Sequence, residues 1–390
     1  MHNESIWDIS SLEGIWNVLK PESREGLHEW MPLKNLSLAL DYAYFGDSPT
    51  AFRPQAFLWY ILCVIAFHRF LALLFDILAS RSLLHWTGST RRLAAFFAAL
   101  LFAAHPVHVQ SVAWLSSRKD LLMMTFFFAG LYHQVYSHYD ENRERTGRKA
   151  TALFFYLLAL LSKPSAVGFP LMIVVVDAVL EKEAGILAFL HKRLTLYAGY
   201  FALTLAYSLL YLKIAAGPDG MGLENVAEGV VIFNGSLPQL VGQQISSYVA
   251  WAFWPVKLTH YPLFELAETY ASFSVLAGLS AGLLLIVSAV YCIRRAPLAT
   301  VAIGLFFAGL LPVIGQAPFR QYYEVRYLLI SVAAPALLAA WFFAYLATVR
   351  LKIVAWTTMA SLLFFWTVFS LRDIPAWAST ETLWMDALAK

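Results

Sequence analysis

The chain has 390 residues, 60% of them hydrophobic and only 14% charged, with a net charge of +3 and a mean hydropathy of +0.62. So little polar surface excludes a soluble globule of this size and points to a membrane protein. Cys63 and Cys292 lie inside apolar runs, which excludes a disulfide framework and a thiolate metal site, and the small positive excess sits in short loops, as a topology signal does and a nucleic-acid footprint does not.

A helix needs about 20 apolar residues to cross a hydrocarbon core, and strand-sized alternation is absent. The predicted fold class is therefore all-α, a polytopic transmembrane helical bundle with about ten spans and a re-entrant or interfacial helix. Residues 1–54 are mixed polar and aromatic without a leading apolar segment; they read as part of a first extracytoplasmic loop, with a further span expected upstream. The membrane domain runs over 55–370, with spans expected at 55–79, 92–104, 119–138, 151–162, 165–180, 194–214, 272–293, 297–314, 324–347 and 353–370.

Alternate connections are basic. Half of the 28 lysines and arginines fall in 80–92, 139–150, 181–193, the pair Arg294 and Arg295, and the pair Arg350 and Lys352. The positive-inside rule makes those loops cytoplasmic and turns the remaining connections outward. Inside the first span, His68, Arg69 and Asp76 outline a polar seam.

The first outward turn holds "HPVHVQSVAWLSSRKD", residues 105–120. Pro106 suits the first turn of a short helix over 106–116, which would set His105 and His108 on one side. Interface anchoring accounts for Trp114, Arg118 and Lys119 one by one; a cavity that holds an anionic group accounts for His108, Arg118, Lys119 and Asp120 together. Zinc is a poor fit, since the two histidines are three apart and lack a third ligand.

"SKPSAVGFP", 162–170, sets Lys163 between two apolar runs. A charge at membrane depth costs about 2.5–3.5 kcal/mol, so Lys163 either snorkels to the interface or meets a lipid phosphate there. The segment 215–271 begins and ends on the outer side; its helix at 239–258, with Trp251, Trp254 and Pro255, reads either as interfacial or as packed within the bundle. "APFRQYYEVRYLL", 317–329, brings Arg320, Glu324, Arg326 and Tyr327 to the start of a span. Arg320 and Glu324 are four apart, as in a helical ion pair, which would leave Arg326 for a phosphate that its planar fork suits. Residues 371–390 read as an amphipathic lead-in to a domain that follows.

Taken in order, "NLSLALDYAYFG" (35–46), the 105–120 motif, "LLSKPSAVGFPL" (160–171), "YVAWAFWPVKLTHYP" (248–262) and "LLPVIGQAPFRQYYEVRYLLIS" (310–331) resemble the membrane half of the transmembrane-and-tetratricopeptide-repeat family of O-mannosyltransferase-like proteins. The resemblance implies the GT-C fold. It also implies transfer of a sugar from a polyprenyl-phosphate carrier to an acceptor hydroxyl, of protein or glycan, outside the cytoplasm. A carboxylate base and cations at the lipid phosphate would share one face.

On this reading the partners are the lipid-linked sugar, the acceptor and membrane lipids, with no nucleic acid; a divalent metal is left open. The membrane is the inner membrane if the chain is bacterial and the endoplasmic reticulum if it is eukaryotic. The sequence departs from the family pattern in three ways. The acidic pair expected just before "HNESIWDIS" is absent, Gln110 stands where relatives carry glutamate, and the C-terminal repeats are not present. The expectation is a fragment of a longer enzyme whose acidic pair lies upstream, with Asp8 or Asp41 as the fallback base if the chain begins at Met1; Arg326, Lys163, Arg118, Lys119, Arg320, His105, His108, Asp120 and Tyr327 are the candidate substrate contacts. The other expectation is a non-catalytic membrane anchor.

Overall fold

A computed structural model describes residues 9–20, 30–46, 48–139, 144–181, 186–215, 237–256, 258, 267, 269–315 and 324–389, and among these there is no strand. Two short helices come first, α1 (Leu12–Leu19) and α2 (Pro32–Phe45). The Ser11 hydroxyl caps α1 by accepting from the Gly14 amide at 3.0 Å. Pro32 opens α2 and Gly46, at φ 61°, ends it.

α2 is turned inside out for a surface helix. Asn35, Ser37 and Asp41 face inward and are buried, while Leu40, Tyr44 and Phe45 are exposed.

The bundle follows as α3 (Pro49–Ser80), α4 (Gly88–Ala104), α5 (His108–Ala113), α6 (Arg118–Tyr136), α7 (Glu144–Ser162), α8 (Phe169–Leu180), α9 (Ile186–Ala215), α10 (Leu237–Phe253), α11 (Phe273–Cys292), α12 (Pro297–Leu310), α13 (Ala333–Thr348), α14 (Lys352–Asp373) and α15 (Thr380–Ala389). Among the described residues three stretches are long and apolar enough to cross a membrane: Phe52–Ser80, Phe273–Cys292 and Lys352–Trp377. Pro164–Leu180, Pro297–Leu310 and Ala333–Thr348 are apolar but shorter. This is a helical membrane protein. Helices occupy the positions expected of ten spans, but among the described residues three have the length and composition of a span. The others are short, or carry enough polar groups to need partners inside the bundle.

Phe67, Phe102 and Phe128 lock α3, α4 and α6 together, with ring centroids 4.7, 4.9 and 5.6 Å apart, close enough for edge and offset contacts. Tyr156 of α7 stacks on Phe169 of α8 at 4.9 Å. α11 and α14 instead turn large apolar residues outward, such as Leu283, Leu284, Ile353 and Phe364, as surfaces bathed in hydrocarbon do.

Asp76 pairs with Arg91 of α4 at 2.7 Å, as a polar seam between helices does. Packing also decides between the two readings of the helix in segment 215–271. The helix at 239–258 takes the form of α10, whose Gln239, Gln243, Gln244 and Tyr248 are buried. It packs within the bundle, and its glutamines hold loop backbone: the Gln243 side chain accepts from the Ala267 amide at 3.0 Å and that of Gln244 from Gly315 at 2.8 Å.

Close backbone contacts place the turn that carries Lys163. Pro164–Gly168 forms a 3-10 turn that lies directly on α12, where a Cβ added at Gly168 would stand 1.9 Å from the Ala308 carbonyl oxygen. Gly309 admits Ser331 in the same way, since its Cβ would stand 2.3 Å from Ser331 Oγ. Only glycine lets the 163–168 turn, α12 and the segment before α13 meet this closely.

Candidate functional site

The start of α6 points its charges in different directions. Arg118 turns toward α2 and forms an ion pair with Asp41, both side chains at 0% exposure. It also donates to Ser37 Oγ at 3.3 Å and to the Phe52 carbonyl at 2.8 Å. Such a pair is costly to break, because either partner alone would be an uncompensated buried charge.

Asp120, two residues on, turns the other way and accepts from Lys163, which stands 43 positions later. Lys163 sits just after α7, where the chain turns extended before Pro164. Arg326 lies in a 3-10 turn, Val325–Leu328, and reaches back to Glu324, its Nη2 donating to Oε1 at 2.7 Å. This corrects the expectation that Arg326 stands free: the backbone at Glu324 is extended and Glu324 is the partner of Arg326, whereas Arg320 lies outside the described residues.

The two ion pairs meet at a narrow cavity lined by Asp120, Lys163, Ser165, Gly309, Arg326 and Tyr327. Asp120 Oδ2 and Ser165 Oγ are buried and without a hydrogen-bond partner. Each such atom costs about 1–3 kcal/mol when left unsatisfied, which marks a place where a polar ligand is gained at little desolvation cost. Burial pulls the Lys163 ammonium below the usual lysine value, against Asp120 and with help from Arg326 and Lys119. The Arg326 guanidinium carbon stands 5.1 Å over the ring of Trp114, a cation–π contact that helps to aim it.

Of the residues singled out in the sequence, the fold gathers Asp120, Lys163, Arg326 and Tyr327 around one cavity, with Lys119 buried close enough to act on Lys163. Arg118 and Asp41 form their own pair behind it. The expected helix over 106–116 is shortened to α5, and His105 stands outside it as the residue that ends α4. The ring of His105 bonds the Ala252 carbonyl at 3.1 Å, whereas that of His108 packs between Tyr60 and Phe102. Asp8 and Arg320 lie outside the described residues.

The sequence reading missed Ser165, although it stands in the quoted "SKPS" turn. It also missed a network at the opposite end of the bundle. There Asp177 of α8 accepts from Gln134 at 2.9 Å, His138 at 2.6 Å, Arg193 at 2.9 Å and Tyr197 at 3.1 Å. A single acid inside the apolar run 165–180 was the available signal, since a buried carboxylate requires partners. No group of three or more metal-binding side chains occurs among the described residues.

No family model matches the chain, and no solved structure does. Among curated proteins it is similar to Protein O-mannosyl-transferase TMTC2 of Mus musculus, with 30% identity over 132 residues. That match takes in 33% of this chain and 14% of the mouse protein, so it spans about a seventh of that relative's length and supports a distant relationship.

Proposed function

We propose that the chain is the membrane part of a GT-C-type glycosyltransferase, which moves a sugar from a polyprenyl-phosphate carrier to a hydroxyl of a protein or glycan on the extracytoplasmic side. The observation that carries this reading is the convergence of Lys163 and Arg326 on one cavity from turns 163 positions apart in sequence. Two cations at a small site with unsatisfied polar atoms suit a phosphate, which they would stabilise further as the sugar leaves. The distant likeness to an O-mannosyl-transferase supports the same chemistry.

In this reading 55–370 is a multi-pass membrane domain, 1–54 belongs to an outward loop and 371–390 leads outward. The face is assigned by the basic loops of the opposite side, and the membrane is the plasma membrane of a bacterium or the endoplasmic reticulum of a eukaryote. Wild type and Arg326→Ala, expressed in membranes supplied with tritiated polyprenyl-phosphate mannose, test the reading. Transfer of tritium to protein or glycan is expected with wild type, and a loss of about 10²–10³-fold with the variant. Equal transfer by the two removes Arg326 from the site.

A second reading, a non-catalytic membrane anchor, is favoured by one observation: both cations are already neutralised by Asp120 and Glu324. Partner capture by wild type that persists without any sugar transfer supports it.

A further inference from the structure

We propose that Trp377, in the turn after α14, is a positioning residue for the cavity: it acts through Trp114 to keep Arg326 aimed at the bound phosphate. The proposal rests on the phosphate reading of that cavity and adds to it a control exerted from the C-terminal segment.

Arg326 needs a reference outside its own turn. Its ion pair with Glu324 uses both carboxylate oxygens but spans two residues, so it fixes the guanidinium against the local backbone and not against the bundle. Trp114 supplies the outside contact, with the guanidinium carbon 5.1 Å over its ring. The Trp114 backbone is held at the joint between α5 and the next turn. Its N–H donates to the Gln110 carbonyl at 2.9 Å, and its carbonyl accepts from the Ser117 amide at 2.9 Å. A held backbone still leaves the side-chain torsions a choice of rotamers. The Trp377 ring narrows that choice by stacking on Trp114, with centroids 6.4 Å apart and planes 26° from parallel.

Trp377 is itself well placed to do this. It ends a 3-10 turn, Ile374–Trp377, that packs on α5, as does the turn that carries Arg326. The end of α14 is pinned beside the end of α4: Ser370 Oγ donates to the Ala104 carbonyl at 2.7 Å, and Trp366 meets the His105 ring at 4.5 Å. From the other side, the Thr382 hydroxyl of α15 donates to the Ala376 carbonyl at 3.1 Å, and Ser379 Oγ accepts from the Thr382 amide at 3.1 Å. A shift of α15 is therefore passed to the turn and, through two rings, to Arg326. Membrane-interface tryptophans anchor by facing the headgroup layer, whereas these two half-buried rings face each other.

Two measurements in lipid nanodiscs test the coupling. Modification of Arg326 by phenylglyoxal, followed by mass spectrometry, reads its positioning without a ligand, and titration calorimetry with polyprenyl phosphate reads the consequence. Trp377→Leu should speed the modification and weaken the binding, each by about three- to tenfold, the size of an aromatic and cation–π contribution. The modification rate at exposed Arg350 should not change, as it would if the bundle had loosened. Trp377→Phe keeps a stacking ring and should stay within about twofold of wild type in both measurements. In an Arg326→Gln background, Trp377→Leu should leave the affinity within about twofold, because the group it positions is gone.

Unchanged Arg326 reactivity in Trp377→Leu overturns the proposal, and so does an affinity loss of equal size with and without Arg326. Wild type that does not bind polyprenyl phosphate overturns the phosphate reading instead, and the reactivity of Arg326 then decides by itself whether Trp377 positions it.

Discussion

Lys163 and Asp120 form a buried ion pair across the joint between α6 and the turn after α7, with Lys163 at 12% side-chain exposure and Asp120 at 0%. The pair explains how a lysine is tolerated between two apolar runs. It is neither snorkelling nor alone, and its charge is compensated where it enters the bundle. The same pairing makes the cavity responsive, since an incoming anion competes with Asp120 for Lys163.

Anion binding at this cavity is expected to weaken with rising pH earlier than an ordinary lysine would allow. Lys163 has its pKa lowered by burial from 10.5, and only its protonated form attracts phosphate. Affinity for polyprenyl phosphate should therefore be level at lower pH and decline as pH rises through a value below 10.5. Lys163→Arg should carry that decline to higher pH. Titration calorimetry in nanodiscs at several pH values checks both, and an affinity flat across the range for wild type would remove Lys163 from the site.

Arg118 is expected to matter for stability more than for ligand. Arg118→Ala leaves Asp41 buried without its partner and should cost about 3–5 kcal/mol. The double variant Arg118→Met/Asp41→Leu removes both charges and should regain most of that loss. Denaturant unfolding in mild detergent reads the difference, and similar stability of the single and double variants would contradict the pairing.

Gly168 is expected to be nearly irreplaceable. A methyl group there would sit 1.9 Å from the Ala308 carbonyl oxygen, forcing the 163–168 turn off α12, and such overpacking costs about 1–3 kcal/mol. Gly168→Ala should lower Tm and weaken phosphate binding together, because the turn carries Lys163. Gly199→Ala, where nothing lies within 4 Å of the added carbon, should leave Tm unchanged or raise it.

The Asp177 network should behave as scaffold. Asp177→Ala takes one of two carboxylates from Arg193 and His138, which keep Glu181, and leaves their remaining donors unsatisfied at a cost of about 1–3 kcal/mol. Phosphate affinity of the folded fraction should not change, since this network lies at the other end of α6 and α8 from the cavity. A Tm drop without a shift in Kd is the expected pattern.

Much of the helical framework was legible in the sequence because membrane solvent leaves so few options. Apolar runs bounded by Pro297, Pro164 and the "RSLLHWTGST" connection fall where α12, the turn before α8 and α4 begin. Partners were harder to read. Four-residue spacing from Arg320 to Glu324 leaves Arg326 free in the sequence, but the structure bonds Arg326 to Glu324, two residues away across an extended backbone. The sequence likewise marks His105 and His108 as a pair on one helix, but His105 ends α4 and only His108 belongs to α5.

The sequence by itself determined that this is a helical membrane protein and that its charged motifs lie in turns between apolar helices, because composition and periodicity act locally along the chain. Only the tertiary structure decided which motif residues share a cavity. Arg118, Lys119 and Asp120 are consecutive, but successive residues on a helix point about 100° apart, so Arg118 and Asp120 enter different surroundings. What joins Asp120 to Lys163 and Arg326 is the close approach that Gly168 and Gly309 allow around α12. That contact depends on distances between helices, which no local pattern encodes.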